Sequence, residues 1–353
     1  MEYKRGMHVY AEYPRFIKIE PVHGCNRACD FCTLRNKKKE GIHLLDYDVY
    51  AKEFLPSVDK EKVKQFSFAL HGEPTLHPKI LEIVKDTKEA FPKANLLMIT
   101  NGDIFIHKNN SFELLLQLFD AGLTSVQLDL YDDLSEEKGF ELLRKHKEDF
   151  YSRSILVKNY YEEKCTMWSS AKSTKELYFV TESGGINTKN SNTRIFDTQG
   201  TSVPFEVWEK YGLNLESFPR LATCKELNKY MAIQWNGVVK VCCSDGSGIS
   251  HIGNAFERRL EELWTSEKAD RIRHALSNGR RDIVPCCYAC SRRSFRDGLW
   301  PHFGKEYDLI ETASILAEDI VSDSTYSENL RSLHSKYPIA NRFIRRKLNL
   351  EEL

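Results

Sequence analysis

The sequence lacks an excess of charge of either sign. Its 353 residues include 51 Lys and Arg against 51 Asp and Glu, which gives a formal net charge of zero at pH 7. A surface without net positive charge exerts no general attraction on the phosphate backbone of a nucleic acid. We therefore do not expect a nucleic acid as the default partner.

Long apolar stretches are also missing. The N-terminal residues MEYKRGMHVYAEYPRF contain no apolar segment suited to a secretory signal peptide. No later segment approaches the roughly 18 consecutive apolar residues of a membrane span. These two absences predict a soluble, cytoplasmic protein without a membrane partner.

Cysteine, by contrast, is plentiful. The chain has ten cysteines: three lie within residues 25–32, six lie within residues 224–290, and Cys165 stands alone. In a reducing cytosol, clustered thiols bind metal more often than they form structural disulfides. Thiolates select soft metal centres, namely zinc or iron-sulfur clusters. The two groups therefore predict two metal sites.

Short apolar runs alternate with amphipathic stretches over residues 15–157. The runs have the length of strands, whereas apolar residues recur every three or four positions over 77–90 and 111–121. Strands joined by helical crossovers predict βαβ units in a mainly parallel sheet, which ELYFV (176–180) could complete. The functional side chains of such a sheet collect after the carboxyl ends of its strands.

The first cysteine group lies directly after the first predicted strand. The stretch HGCNRACDFC places Cys25, Cys29 and Cys32 in a CxxxCxxC spacing. A [4Fe-4S] cluster normally takes four cysteines, so three thiolates on one short loop would leave one iron open to a small molecule. The alternative is a zinc knuckle that is completed by a fourth ligand such as His23.

This motif, in a domain of βα repeats, resembles the signature of the radical S-adenosylmethionine (SAM) superfamily. The resemblance implies that the open iron binds the amino and carboxylate groups of SAM. It implies that reduction cleaves SAM to a 5'-deoxyadenosyl radical, which abstracts hydrogen from a substrate, while the protein orients the cofactor. It further implies an α/β fold in which residues 1–219 form a core domain, a partial (βα)6 barrel similar to a TIM barrel.

The resemblance assigns three positions to SAM near the first two strands. Phe31, directly before the third cysteine, matches an aromatic position near the adenine. The motif LHGEP stands where family members commonly have GGEP, so Gly72 lets the backbone come close and Glu73 accepts the ammonium group. The first glycine of that motif is replaced here by His71.

Two further positions follow the third and fourth strands. Asn101, in the sequence TNG, is expected to contact the cofactor, and Asp129, in LDLYDD, is expected to bind ribose hydroxyls. Polar residues after strands are also ordinary turn formers. The order of these motifs along the chain is what supports the cofactor-binding role.

The second cysteine group resembles an auxiliary-cluster module called twitch, a shortened relative of the SPASM module. Its pattern is Cys224, then GxxxxC ending at Cys242, then CxxC with Cys287 and Cys290. The resemblance implies a second [4Fe-4S] cluster that four thiolates close completely. Zinc bound by two cysteine pairs is the alternative.

The auxiliary module is expected over residues 220–295, followed by a helical tail over 296–353. QWNGVVKVCC predicts a β-hairpin with its turn at Asn-Gly, and residues 260–277 predict a helix. Cys243 and Cys286 adjoin predicted ligands. Because side chains alternate along a strand, Cys243 should point away from the cluster. The role of Cys165 stays open, a hydrogen-atom donor being one alternative.

Two reaction types fit a radical enzyme with a closed auxiliary cluster. One is dehydrogenation of a small molecule, with the cluster accepting an electron; the other is cross-linking, epimerisation or maturation of a ribosomal peptide or protein. Only residues 1–14 precede the first strand, which favours the small molecule. The proton acceptor is open among Glu182, Lys158 and His71.

A third hypothesis is a non-catalytic metal-binding scaffold. The intact CxxxCxxC motif and Glu73 argue against it. For the enzyme, the resemblance implies a low-potential electron donor, such as flavodoxin or ferredoxin, as a partner.

Overall fold

The computed structural model describes residues 12–29, 31–34, 41–107, 112–159, 166–168, 175–180, 202–203, 205–210, 218–224, 226–246, 248–291, 306–321 and 324–350. The chain divides into two compact units. The unit of residues 19–25 and 42–195 is called the βα unit here, and that of residues 1–18, 26–41 and 196–353 the C-terminal unit. The domain division at 219/220 and 295/296 stays a prediction.

Strands and helices alternate through the first half of the chain, as the sequence pattern predicts. The strands are β1 (Phe16–Ile19), β2 (Val22–His23), β3 (His43–Leu44), β4 (Gln65–Phe68), β5 (Asn95–Thr100), β6 (Ser125–Asp129), β7 (Ile155–Asn159), β8 (Thr166–Trp168), β9 (Lys175–Val180), β10 (Met231–Ile233), β11 (Val238–Lys240) and β12 (His251–Asn254). The α-helices are α1 (Tyr47–Val49), α2 (Leu55–Ser57), α3 (Ile80–Ala90), α4 (Asp103–His107), α5 (Phe112–Asp120), α6 (Asp133–Lys145), α7 (Lys147–Ser152), α8 (Phe205–Lys210), α9 (Leu260–Trp264), α10 (Glu267–Ser277), α11 (Leu309–Ala317), α12 (Thr325–Lys336) and α13 (Arg342–Lys347). A π-helical turn spans Tyr50–Phe54, and 3-10 turns span Pro74–Leu76, Glu226–Asn228, Arg281–Ile283 and Pro285–Cys287.

The sheet of the βα unit has the strand order β4-β5-β6-β9-β7-β8. Its strands pair in parallel from β4 to β7, and β8 is added antiparallel to β7. The sequence ELYFV does join this sheet, but it lies between β6 and β7 rather than after β7. Leu177 of β9 is paired with Val126 on one side and with Val157 on the other, and all three side chains are fully buried.

Helix α3 illustrates how the helices cover this sheet. Its buried residues are Ile80, Ile83, Val84 and Thr87, which recur at the spacing of one helical face. Asp132 caps the N-terminus of helix α6, because its carboxylate accepts a hydrogen bond from the Ser135 backbone N–H at 2.8 Å. Local sequence thus determines these helices, whose apolar faces build the core.

The C-terminal unit contains the predicted hairpin. Strands β10 and β11 are antiparallel, and Gly237 in the turn between them has a φ of 84°, a backbone conformation that favours glycine. Strand β12 pairs with β11, and the strand order is β12-β11-β10-β1. The predicted helix over 260–277 is interrupted, because Ser266 caps a new helix by accepting a hydrogen bond from Ala269 N at 3.2 Å.

The tail of the chain is helical and packs within the C-terminal unit. Tyr326 of α12 is fully buried, and its hydroxyl donates a hydrogen bond of 2.8 Å to the carbonyl of Pro285. The Asn341 side chain donates one of 2.9 Å to the carbonyl of Asp282. The tail therefore braces the segment that leads to Cys287. Among the helices of the described ranges, none combines the length and apolarity that a membrane span needs.

Candidate cofactor site and thiol cluster

The Glu73 carboxylate is buried just beyond the end of β4. Its Oε1 accepts hydrogen bonds from Thr75 N at 3.0 Å, from the Thr75 hydroxyl at 2.6 Å and from the Thr100 hydroxyl at 2.6 Å. Its Oε2 accepts one from Asn101 N at 2.8 Å. Burial raises the pKa of Glu73, and these hydrogen bonds oppose the rise. Because Oε1 has three donors, Oε2 is the oxygen with acceptor capacity left for an ammonium group.

Gly72 is fixed by the backbone of its own unit. A Cβ at this position would lie 1.7 Å from the Val22 carbonyl oxygen, so only glycine fits. The next residue, Glu73, donates its backbone N–H to the carbonyl of Gly24 at 2.9 Å. The Gly-Glu turn is therefore pressed against the segment that immediately precedes Cys25.

Asn101 follows β5 and links three groups. Its backbone N–H donates to Glu73, and its Oδ1 accepts a hydrogen bond from Asp103 N at 3.0 Å at the start of α4. Its Nδ2 lies 3.5 Å from the Sγ of Cys25. The structure thus brings a predicted cofactor residue to the first predicted cluster ligand.

Cys29, Phe31 and Cys32 lie half-buried in a tight turn of the C-terminal unit. Cys32 N donates to the carbonyl of Cys29 at 3.1 Å, and the Cys32 sulfur accepts a hydrogen bond from Leu34 N at 3.4 Å. The thiolate is the form of cysteine that binds metal.

Asp129 is the last residue of β6 and is buried. Its Oδ1 accepts a hydrogen bond from Gln127 Nε2 at 2.9 Å, and its Oδ2 accepts one from the Tyr131 hydroxyl at 3.1 Å. The two neighbours orient the carboxylate at the carboxyl end of the strand. This is the edge of a parallel sheet at which ligands bind.

The second cysteine group comes together in the C-terminal unit around Cys242. Burial raises the pKa of its thiol well above the usual value, and Cys243, Cys287, Cys290 and Cys224 raise it further. Electrostatic influence of this kind requires proximity, so the other three predicted ligands lie near Cys242. Cys287 N donates to Val284 O at 2.8 Å and Cys290 N to Cys287 O at 3.2 Å, which forms the CxxC turn.

The chemistry of this donor set fits an iron-sulfur cluster. Burial and mutual repulsion make several neighbouring thiolates costly unless a metal centre binds them. Lys240 is fully buried, and its ammonium has no hydrogen-bond partner among the described residues. It is the last residue of β11 and precedes Cys242 by two residues. An anionic cluster would give this ammonium an acceptor. No three His, Cys, Asp or Glu side chains of the described ranges form a group suited to one metal ion.

The two cysteines beside the predicted ligands have different surroundings. The Cys243 sulfur accepts hydrogen bonds from the Tyr230 hydroxyl at 2.9 Å and from the Lys18 ammonium at 3.4 Å. The Cys286 sulfur lies 3.6 Å from that of Cys287. Cys243 thus has polar partners of its own, while Cys286 is a close neighbour of the ligand set.

Three residues of these sites escaped the sequence reasoning. Thr75 and Thr100 bond the Glu73 carboxylate, and Arg281 donates to the carbonyls of the two residues before Cys224. A buried carboxylate needs hydrogen-bond donors. This need could have identified both threonines, since Thr75 directly follows the motif LHGEP and Thr100 begins the motif TNG. No sequence signal identifies Arg281.

Several candidates cannot be placed. Cys165 and Glu182 lie outside the described residues, and Lys158 is described only as backbone of β7. His71, the residue that departs from the family motif, is half-buried.

Family models match two parts of the chain. Residues 19–158 match the radical SAM superfamily, and residues 224–291 match SPASM, an iron-sulfur cluster-binding domain. The first range includes CxxxCxxC and all five predicted SAM-binding positions. The second includes all four predicted auxiliary ligands.

Two curated relatives extend over most of the chain. One is the tungsten-containing aldehyde ferredoxin oxidoreductase cofactor-modifying protein of Pyrococcus furiosus, 24% identical over 331 residues that cover 80% of this chain and 89% of the relative. The other is the S-adenosyl-L-methionine-dependent 2-deoxy-scyllo-inosamine dehydrogenase of Niallia circulans, 23% identical over 290 residues that cover 79% of this chain and 93% of the relative.

A solved structure shares the fold. The crystal structure of BtrN in complex with AdoMet and 2-DOIA aligns with a TM-score of 0.55 and 16% identity, covering 81% of this chain and 97% of that chain. At this identity the likeness concerns the arrangement of strands and helices alone.

Proposed function

Because this chain is a radical SAM enzyme with a SPASM-type iron-sulfur domain, we propose that it dehydrogenates a small polar molecule at a carbon that bears a hydroxyl group. The predicted superfamily, α/β fold, oxidoreductase class and cofactors, SAM and iron-sulfur clusters, are confirmed. The name of the Niallia circulans relative, a SAM-dependent dehydrogenase of an inosamine, supports the substrate class.

The radical chemistry is assigned to the first cysteine group. With a [4Fe-4S] cluster and SAM bound, one-electron reduction supplies a 5'-deoxyadenosyl radical that removes a hydrogen atom from the substrate. Cys25, Cys29 and Cys32 would hold the cluster, and the Asn101 amide next to Cys25 would donate to its sulfur. The chain's part is to orient these groups and to exclude water.

The SAM pocket is assigned to the residues that follow the strands of the βα unit. Oε2 of Glu73 would accept the ammonium group, and Gly72 would keep that turn in place against Val22. Asp129 would accept the ribose hydroxyls, and Phe31 would contact the adenine. Burial supports these roles for Glu73 and Asp129, since polar contacts strengthen where water is excluded.

The auxiliary site is assigned to Cys224, Cys242, Cys287 and Cys290. The observation that carries the proposal is the burial of Cys242 among the other three thiols, because four thiolates leave no open position for substrate. Such a site can pass single electrons. With a cluster bound, this site would accept the one electron that remains once the substrate has given up a hydrogen atom and its hydroxyl proton, and a carbonyl group would be left.

The starting electron needs an external source. No net electron is consumed in a turnover, because the one electron that cleaves SAM is matched by the one electron that leaves the substrate. A low-potential donor such as flavodoxin or ferredoxin would prime the enzyme.

The test begins with anaerobic reconstitution. We expect about eight irons and eight sulfides per chain, and about four of each when Cys25, Cys29 and Cys32 are all changed to alanine. With dithionite and SAM, the wild type should release 5'-deoxyadenosine and the triple variant should not.

Substrate class is then tested with a panel of cyclitols, aminocyclitols and sugars. We expect a product lighter by two hydrogens, and transfer of deuterium from a labelled carbinol carbon into 5'-deoxyadenosine. Absence of iron would refute the cofactor assignment. A peptide product of unchanged composition that carries solvent deuterium would instead indicate epimerisation.

A further inference from the structure

Arg281 is an arginine in the interior of the C-terminal unit. Its side chain is almost completely buried, at 1% exposure. Its Nε donates a hydrogen bond of 2.9 Å to the carbonyl of Ala222, and its Nη2 donates one of 3.2 Å to the carbonyl of Thr223. These two carbonyls immediately precede Cys224, so the guanidinium holds the backbone that positions this thiol.

The Cys224 segment is fixed from a second side. The backbone N–H of Cys224 donates to the carbonyl of Leu276, the next-to-last residue of α10, at 3.1 Å. With both ends of this short segment bonded, the sulfur cannot move far from the guanidinium. The distance between a fixed positive charge and the sulfur is thereby set by the fold.

The charge of Arg281 acts on that sulfur. Arginine stays protonated in proteins. Its guanidinium bonds the carbonyl of Thr223, the residue directly before Cys224, so a positive charge lies beside this ligand. In a low-dielectric interior, such a charge is poorly screened.

The neighbouring arginine has no such effect. Arg280 is 39% exposed, and its Nε and Nη2 each donate a hydrogen bond of 2.8 Å to the carboxylate of Asp282. Its charge is neutralised by this pair and screened by water. Of these two adjacent arginines, Arg281 bonds the Cys224 segment and Arg280 does not, so Arg280 is a matched control.

We propose that Arg281 is a positioning residue that sets the reduction potential of the auxiliary cluster through its charge beside Cys224. The inference rests on the proposed function, in which Cys224 is a ligand of that cluster. Reduction adds one negative charge to a four-thiolate cluster, and a fixed positive charge close to one ligand stabilises the reduced state. Arg281 therefore makes the cluster a better acceptor for the electron that the substrate gives up.

The experiment measures the midpoint potential of the auxiliary cluster. The full chain with Cys25, Cys29 and Cys32 changed to alanine serves as background, because it isolates the auxiliary signal. Arg281→Gln, Arg281→Lys and Arg280→Gln are added to it separately. Iron content and anaerobic redox titration followed by electron paramagnetic resonance are the readouts.

We expect Arg281→Gln to make one-electron reduction at least tenfold less favourable, a negative shift of about 59 mV or more. Arg281→Lys keeps the charge and should shift the potential less, and Arg280→Gln should not shift it. A potential unchanged by Arg281→Gln, or an equal shift in the lysine and glutamine variants, would overturn the inference.

The remaining outcomes are also decisive. If Arg281→Gln does not retain iron, then full iron and a near-background potential in Arg281→Lys support the role of the charge. Loss of iron from both variants alike contradicts it. A background protein without iron would refute the four-cysteine assignment itself, whereas a loaded background with an unmoved potential in Arg281→Gln refutes this inference alone.

Discussion

The Thr100 hydroxyl donates a hydrogen bond of 2.6 Å to Oε1 of Glu73, and this bond joins the ends of β4 and β5 through one buried carboxylate. Thr75 adds two donors to the same oxygen, and Asn101 adds one to the other. Consecutive parallel strands end at the same edge of a sheet, so the carboxylate sets the spacing of two motifs that we assign to SAM.

Removing this donor should destabilise the fold. Thr100→Val keeps the shape but removes the hydroxyl that donates to the buried carboxylate and accepts from Gly102 N at 3.1 Å, and we expect a loss of about 1.5 to 3 kcal/mol in the free energy of unfolding. Urea denaturation measures it. Thr265→Val is the control, because that hydroxyl bonds the Glu261 carbonyl at an exposed position. Equal stability of the two variants would show that the Glu73 bond contributes little.

The raised pKa of Glu73 predicts a pH effect on stability. With its folded pKa above the usual value of 4.5, the carboxyl holds its proton more tightly when folded than when unfolded. Its contribution to stability is complete below the unfolded pKa and is lost as the pH rises through the folded pKa. Glu73→Gln removes this titration. The difference in unfolding free energy between wild type and variant should therefore shrink from acidic to neutral pH. A difference that stays constant over this pH range would contradict the prediction.

Gly72 should not tolerate even one added carbon. Gly72→Ala places a Cβ 1.7 Å from the backbone oxygen of Val22, so the Gly-Glu turn must move. We expect impaired SAM binding and lower stability, by several kcal/mol. Gly139→Ala is the matched control: it lies inside α6, where an added Cβ meets the flexible side chains of Leu130 at 3.1 Å and of Ile106 at 3.7 Å. Isothermal titration with SAM and urea denaturation separate the two variants.

Features with local causes were predictable from the sequence. The hairpin at Gly237 follows from turn chemistry, and the alternation of strands and helices follows from apolar periodicity. The insertion of β9 between β6 and β7 was not predictable, because strand order depends on which partners bury Leu177. Periodicity records only that a residue is buried, and it does not identify the neighbour.

The same limit applies to the site. Spacing indicated Cys25, and its place after the third predicted strand indicated Asn101, but neither motif predicts which residues lie next to each other. The contact between the Asn101 amide and the Cys25 sulfur joins residues far apart in sequence, as does the contact of Arg281 with the Cys224 segment. Gly72 was expected to allow close approach of a cofactor, whereas the structure brings the Val22 carbonyl against it. Such pairings arise from packing.

The choice between neighbouring cysteines is testable by iron content. Cys242→Ala should remove about four of about eight irons, because Cys242 lies among the other predicted ligands. Cys243→Ala should retain all of them, because that sulfur is bonded to Tyr230 and Lys18. Both variants are reconstituted and assayed side by side. The opposite result would transfer the ligand role to Cys243.

The Asn101 amide should tune the radical cluster. Asn101→Asp retains an acceptor for Asp103 N, and the backbone bond to Glu73 is unaffected, but the donor that lies 3.5 Å from the Cys25 sulfur is replaced by a charged oxygen. Hydrogen bonds to cluster sulfurs raise the reduction potential, so we expect a negative shift of roughly 60 mV or more and slower release of 5'-deoxyadenosine.

Asn254→Asp is the matched control for this change. Its amide donates to the Asn236 carbonyl at 3.1 Å and its Oδ1 accepts from Phe256 N at 2.8 Å, so the substitution repeats the same loss at a residue of β12 whose side chain bonds no cysteine. The titration is performed with Cys224 and Cys242 changed to alanine, which leaves only the radical cluster visible. If both aspartate variants gave the background potential, the Asn101 amide would have no effect on the potential through the Cys25 sulfur. Its role would then be the hydrogen bond to Asp103 N at the start of α4. A shift confined to Asn101→Asp would place the first electron-transfer step under the control of an amide at the end of β5.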